Sequence, residues 1–368
     1  MRTCAFAAQL LASVAALALT TAPTSAQTLL GHWPLDGNAI DSSPFGNDGF
    51  IYGGVIPTED RFGTLFGALY FDGVDGFIDL GNDSSLQASL PLTIAAWIKI
   101  EEDTSGGLFD NNYTENDYTG AWVIVNSQSF SVGFGSGGCT CPAARTSLGV
   151  QHTLQPGVWA HLAVVCGLPG QMRIYLNGCD LGGTISGTGG PLLYNGSSPG
   201  NIGRFDSSTQ APPVYFKGAI DDLRYYAGAL TPAEIGVLAD SVAKETIRLG
   251  SPPNPWALVS GTTGGPVVGS TWAPQIDHTT FVPTALLDVV FVGAQPDSVP
   301  LPPAGTLLVD IAIVPPLVFT ATPGQPFMIQ IPANCSLVGQ TLYSQGLSLD
   351  AGGTIELTNA IDILFGTY

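Results

Sequence analysis

Two adjacent acidic pairs, Glu101-Glu102 and Asp221-Asp222, are where this sequence would have to find a general acid and a general base. A retaining glycosidase holds two carboxyls roughly 5 Å apart, both facing one cleft. Neighbours along a strand point to opposite faces, so Asp221 and Asp222 are badly placed to share a substrate. Glu101-Glu102 has the same fault and falls at a strand end. A serine nucleophile fares no better, because Gly135-Ser136-Gly137 belongs to a turn-forming run and not to a strand–turn–helix elbow. His32, His152, His161 and His278 are scattered along the chain. The expectation is a protein that is not an enzyme.

Other residues suit binding and cross-linking. Tyr113, Tyr118 and Trp122 flank an acidic, amide-rich stretch from Asp110 to Asp117. Aromatic faces beside carboxylates and amides fit stacking on a sugar, and these three are the candidate ligand-binding residues. Cys139, Cys141, Cys166 and Cys179 are the disulfide candidates, expected to form two bridges with connectivity open. Cys335 is left as a free, buried small hydrophobe. Zinc is disfavoured at Cys139-Thr140-Cys141, since zinc sites use wider cysteine pairs with supporting histidines.

The elements that must position these residues are short strands. Apolar or alternating runs recur at Gly31 to Leu35, Ala68 to Phe71, Phe77 to Leu80, Leu92 to Ile100, Trp122 to Asn126, Phe130 to Phe134, Trp159 to Cys166, Met172 to Leu176 and Phe216 to Tyr226. Gly and Pro punctuate them, which is the texture of a β-sandwich or barrel. Asn177-Gly178 predicts a two-residue hairpin turn. One short helix is expected where Thr231, Pro232 and Glu234 form a capping box ahead of Ile235. Further strand-like runs follow at Ala285 to Val292, Thr306 to Val314, Pro326 to Ile331 and Ile361 to Phe365.

Residues 1–26 read as a signal peptide, with Arg2, an apolar stretch from Ala5 to Leu19 and small residues up to Ala26. Two β domains are expected beyond it, over 27–243 and 256–368, joined by a proline-rich linker at 244–255. No later run has the ~20 apolar residues of a membrane helix, so no transmembrane segment is expected in the mature chain. The net charge of -19, carried by a chain in which only 11% of residues are charged, argues against nucleic acid as a partner.

The first region resembles the laminin-G-like domains of the concanavalin-A-like superfamily. The landmarks are Gly31-His32-Trp33-Pro34-Leu35-Asp36-Gly37, Asp41 to Gly49, Ala68 to Leu80, Leu92 to Lys99, Gly157 to Val164, Arg173 to Gly178 and Phe216 to Tyr226. The resemblance implies a jelly-roll β-sandwich for this region; with the strand-like runs beyond it, the chain is expected to be all-β, a sandwich followed by a second, smaller β domain. It also implies a calcium ion where the first loop meets the last strand, held by Asp41, Asn47, Gly49 and Asp222, with Asp36, Asp72 and Asp75 as contributors. Trp97 and Trp159 are expected to fill the space between the sheets. The second domain resembles C-terminal β modules on exported proteins of Planctomycetes-like bacteria. The expected function is a secreted or cell-surface protein that binds an extracellular glycan or protein. A structural cell-envelope component and a polysaccharide hydrolase are the alternatives.

Overall fold

The computed structural model describes residues 27–114, 117–168, 170–195, 198–205, 213–261 and 265–368; the expected signal peptide lies outside them. Two antiparallel sheets form the first region. One runs in the order Cys179–Asp180, Arg173–Leu176, Trp159–Cys166, Leu92–Ile100, Lys217–Ala227, Ala68–Asp72 and Val55–Thr58, with Thr28–Trp33 also paired to Lys217–Ala227. The other runs Thr184–Gly187, Arg145–Gln151, Ser129–Gly135, Thr119–Asn126, Ser105–Thr114, Gly200–Ile202, Phe77–Gly81 and Phe50–Tyr52.

Period-two alternation decides which side chains meet between the sheets. Leu92, Ile94, Ala96, Ile98 and Ile100 point inward from one sheet, and Val123, Val125, Phe130, Val132 and Phe134 from the other. Truncating one of the fully buried aromatics, such as Phe71 or Phe109, would cost about 3–5 kcal/mol. The same alternation corrects the expectation for Trp97 and Trp159. Their strand neighbours take the inward positions, so both indoles lie on the outer face. Arg61 covers Trp97 at 4.7 Å and Lys99 covers Trp159 at 5.1 Å. The tryptophan that does fill the core is Trp33, with no exposed surface.

The Pro232–Leu238 helix starts as its sequence requires, with the reciprocal Thr231–Glu234 capping box in place. It lays Ile235 on Ala95, Ala163 and Val165 of the outer face. At the Asn177-Gly178 turn both residues have positive φ, 50° and 81°.

In the second region a five-stranded antiparallel sheet runs Lys244–Arg248, Ile355–Leu364, Thr341–Asp350, Ala285–Gly293 and Leu317–Ala321. The linker expectation is therefore corrected at its start: Lys244–Arg248 is a paired strand, tied by Arg248 to Asp362 at 2.9 Å. One face of the sheet packs with Trp272, Phe281 and Phe327. The other packs under a hairpin of Pro296–Leu301 and Gly305–Val309. The expected run to Val314 stops early, because Asp310 accepts the amides of Ala312 and Ile313 and turns the chain.

Two disulfides join described cysteines, as expected in number, with Cys335 taking the place expected of Cys166. Cys139 pairs with Cys141, and Cys179 pairs with Cys335 across the two regions. Among the described residues, Cys166 is the free cysteine. It faces inward at the end of its strand, fully buried, where burial pushes its thiol far above the usual range. Cys179 sits past the hairpin turn at the seam, where Ser241 Oγ meets Thr367 Oγ1 at 2.7 Å, and there Cys335 comes within 5.8 Å of it, Cα to Cα. Peptide mapping without reductant should recover the Cys179–Cys335 link. This bond spans 156 residues, so in the chain-entropy account Cys335→Ala should destabilise by up to about 5 kcal/mol in denaturant titration. Cys139→Ala, which opens only a tiny loop, should cost far less.

Candidate functional site

The first loop and the last strand of the sandwich do come together, as the calcium expectation requires, but their oxygens are already engaged. Asp41 Oδ1 accepts the amides of His32 and Ser43, both at 2.8 Å, and Oδ2 accepts Ser43 Oγ and the Asn47 amide, both at 2.7 Å. Burial raises the Asp41 pKa, yet these hydrogen bonds outweigh it and hold the carboxyl below its ordinary value. Asn47 accepts the Trp33 indole N–H on its carbonyl at 2.9 Å and Ser85 Oγ on its side-chain oxygen at 2.8 Å. The Gly49 amide donates to Ala39 O, and a Cβ at Gly49 would lie 2.3 Å from Ile78.

Asp222 has its own side-chain partners. His32 Nε2 lies 2.7 Å from Oδ1, and Arg224 reaches the two oxygens at 3.1 and 3.2 Å. Burial opposes ionisation here too, but His32 and Arg224 keep the carboxyl below the usual range. His32 bonds Asp41 through its backbone and Asp222 through its ring, so it occupies the bridging role that the resemblance gives to calcium. Among the described residues, no three His, Cys, Asp or Glu converge as metal ligands. This donor set does not fit a calcium ion. Asp36, Asp72 and Asp75 serve turns: Asn38 donates to Asp36 O, Asp72 accepts the amides of Val74, Asp75 and Gly76, and Asp75 accepts that of Gly54.

Asp221 diverges from Asp222. Alternation puts Asp221 on the outer face opposite Trp97, where Arg61 Nη1 meets it at 2.8 Å, and a bulge follows between Asp221 and Arg224, with Asp222 at φ 52°. Burial pushes its pKa up to about 7 against the pull of Arg61. The two carboxyls thus have separate ion-pair partners, Arg61 for Asp221 and His32 with Arg224 for Asp222.

The ligand-binding expectation falls on the outer face of the second sheet. Across it, Asp79, Asn201, Asp110, Trp122, Gly133 and Ser147 stand opposite one another on successive strands. The Trp122 indole lies flat over Gly133, where a Cβ would come within 2.6 Å of both the ring and Ser147 Oγ. Only glycine permits that approach. Trp122 is 3% exposed, between Tyr118 at 6.2 Å and Phe205 at 6.3 Å, so it supports the face and is not itself a stacking platform. Tyr118 is the half-exposed ring, held at φ 34° with the Arg145 guanidinium 5.4 Å from its centroid. Tyr113 is on the Ser105–Thr114 strand, and its side chain lies outside the described residues.

Sequence reasoning missed the polar members of this row. Asp110 and Asn201 are fully buried and joined at 3.0 Å. Asn201 Oδ1, Ser147 Oγ and Arg145 Nε are buried with no hydrogen-bond partner among the described residues. Such atoms take an ordered water or a ligand hydroxyl. The available signal was a polar residue inside an otherwise apolar strand, as in Gly200-Asn201-Ile202.

Asp41 generates a test. Asp41→Asn turns an amide NH₂ toward N–H donors and should destabilise by about 1–3 kcal/mol, equally with calcium or with chelator. The native carboxyl sits below its ordinary 3.8, so this contribution is fully present above that pH and is lost as pH falls through the native value. Unfolding curves of variant and wild type should converge in acid. A wild-type melting point that rises with calcium and drops with chelator would instead make the loop an ion site.

Residues 72–236 match a laminin-G family model described as the concanavalin A-like lectin/glucanases superfamily. A search of curated proteins finds no match. Among solved structures, the botulinum neurotoxin serotype G binding domain aligns with TM-score 0.43 at 10% identity, covering 92% of this chain and 92% of that one. The serotype C1 binding domain aligns with TM-score 0.40 at 11% identity, covering 93% and 95%. The family match and the two facing antiparallel sheets together give the first region of this chain a laminin-G-like, concanavalin-A-like fold.

Proposed function

We propose that this chain is an exported recognition protein that binds a glycan on the outer face of the second sheet, at Tyr118 and Arg145. The observation that carries the reading is the half-exposed Tyr118 ring with the Arg145 guanidinium 5.4 Å from its centroid. A guanidinium beside an aromatic face can donate to sugar hydroxyls while the ring covers the sugar's apolar side. The Tyr118 ring supplies an apolar face of the kind a pyranose covers. Its left-handed φ is a cost that a purely structural turn would shed by using glycine.

Export is supported by the leader-like residues 1–26 and by two disulfides, which persist in oxidising compartments. No helix among the described residues is long and apolar enough to cross a membrane.

Glycan-array binding by the full chain tests the reading. Tyr118→Ala should weaken the best-bound glycan about tenfold, equivalent to roughly 1.4 kcal/mol, while leaving the melting point nearly unchanged. Uniform failure to bind, by a protein shown to be folded, favours the structural envelope role. Release of reducing ends from polysaccharides would establish a hydrolase.

A further inference from the structure

The five-stranded sheet of the second region ends on Leu317–Ala321, which pairs with Ala285–Gly293 on one side and with no described strand on the other. An open edge normally carries a charge or a bulge that turns other strands away. From Ile311 to Ala321 this chain has no charged residue, and Leu317 and Val318 are each 61% exposed.

Both faces beside that edge are apolar and incompletely covered. On one face Leu317 and Phe319 line a hollow of about 230 Å³ together with Trp272, Ile329 and Leu337. On the other, Val318 lines a hollow of about 530 Å³ with Phe291, Leu307 and Leu357. A strand laid along the edge, about 4.8 Å away, sends alternate side chains to opposite faces. They would enter the two hollows in turn. An amphipathic strand would leave one hollow empty, so the matching segment is apolar at every position.

Charge narrows the partner further. After Arg248 the chain has no Lys or Arg, while Asp310 directly precedes the uncharged segment that leads into the edge strand. A second copy would bring the same negative charge to the seam. Basic flanks would complement it.

We propose that the Leu317–Ala321 edge accepts, by strand addition, an extended segment of another protein that is apolar on both faces and flanked by Lys or Arg. Main-chain hydrogen bonds to the edge would supply affinity and the two hollows specificity.

The test uses the full chain and a labelled synthetic peptide of valines and isoleucines flanked by lysines, read by fluorescence anisotropy. Binding is expected, weakened at least about tenfold by glutamate flanks, by N-methylation of alternate peptide amides, or by Val318→Lys in the protein. The peptide changes keep the test decisive even if the protein variant misfolds. Equal binding of the glutamate-flanked peptide, or indifference to N-methylation, overturns the proposal. Sedimentation showing a dimer that Val318→Lys dissolves also overturns it, because the edge then serves a second copy.

Discussion

Burying the Trp33 indole without stranding its N–H is the constraint on which the first sandwich depends. A Cβ at Gly31 would fall 2.2 Å from the Trp33 ring, so glycine is required two residues before it on the same strand. The indole N–H needs an acceptor inside the core and finds Asn47 O. Holding Asn47 there fixes the loop, and the loop is fixed by Asp41, whose oxygens gather amides from His32, Ser43 and Asn47. His32 then carries the order outward to Asp222 on the last strand. One large side chain thus sets the conformation of about a dozen residues on either side of the sheet edge, through polar groups that would each cost about 1–3 kcal/mol if left buried and unpaired.

Most of the first region was legible in the sequence because local and tertiary signals agree there. Leu92 to Ile100 and Trp159 to Cys166 are predominantly apolar runs and fold within the expected bounds. The capping box and the Asn177-Gly178 turn are local chemistry, complete before any packing is known. Trp97 and Trp159 were misread because bulk alone was taken as a sign of the interior. Their parity, opposite to Ile98 and Leu162, was the better guide. The partner of Cys179 was not legible, since Cys335 reaches it only after both regions have folded.

The second region was harder to read for a specific reason. Its central strand, Thr341–Asp350, carries Ser344, Gln345, Gly346 and Ser348, a composition that suggests a loop. Those side chains are fully buried because each has a defined main-chain or carboxylate partner. Gln345 donates to Thr306 O and Thr358 O and accepts the Leu308 amide. Ser348 donates to Asp288, which also bonds His278. Asn254 and Asn359 act similarly, tying the hairpin and the Ala257-Leu258 segment to Ile355–Leu364. In a region with no Lys or Arg beyond Arg248, buried amides do the cross-linking that ion pairs perform elsewhere in the chain. Periodicity sees such residues as breaks in the pattern, although they are its fasteners.

The Cys179–Cys335 bond changes how a pull on this molecule would be shared. Without it, tension between the two regions would pass through the main chain after the Pro232–Leu238 helix and peel the Lys244–Arg248 strand from its neighbour. With it, a second covalent path enters the sandwich at the Asn177-Gly178 hairpin, on the far edge of the first sheet. Load then divides between two anchor points, and the segment between helix and strand is spared extension. Under tension the joint would behave as a brace while oxidised and as a hinge once reduced.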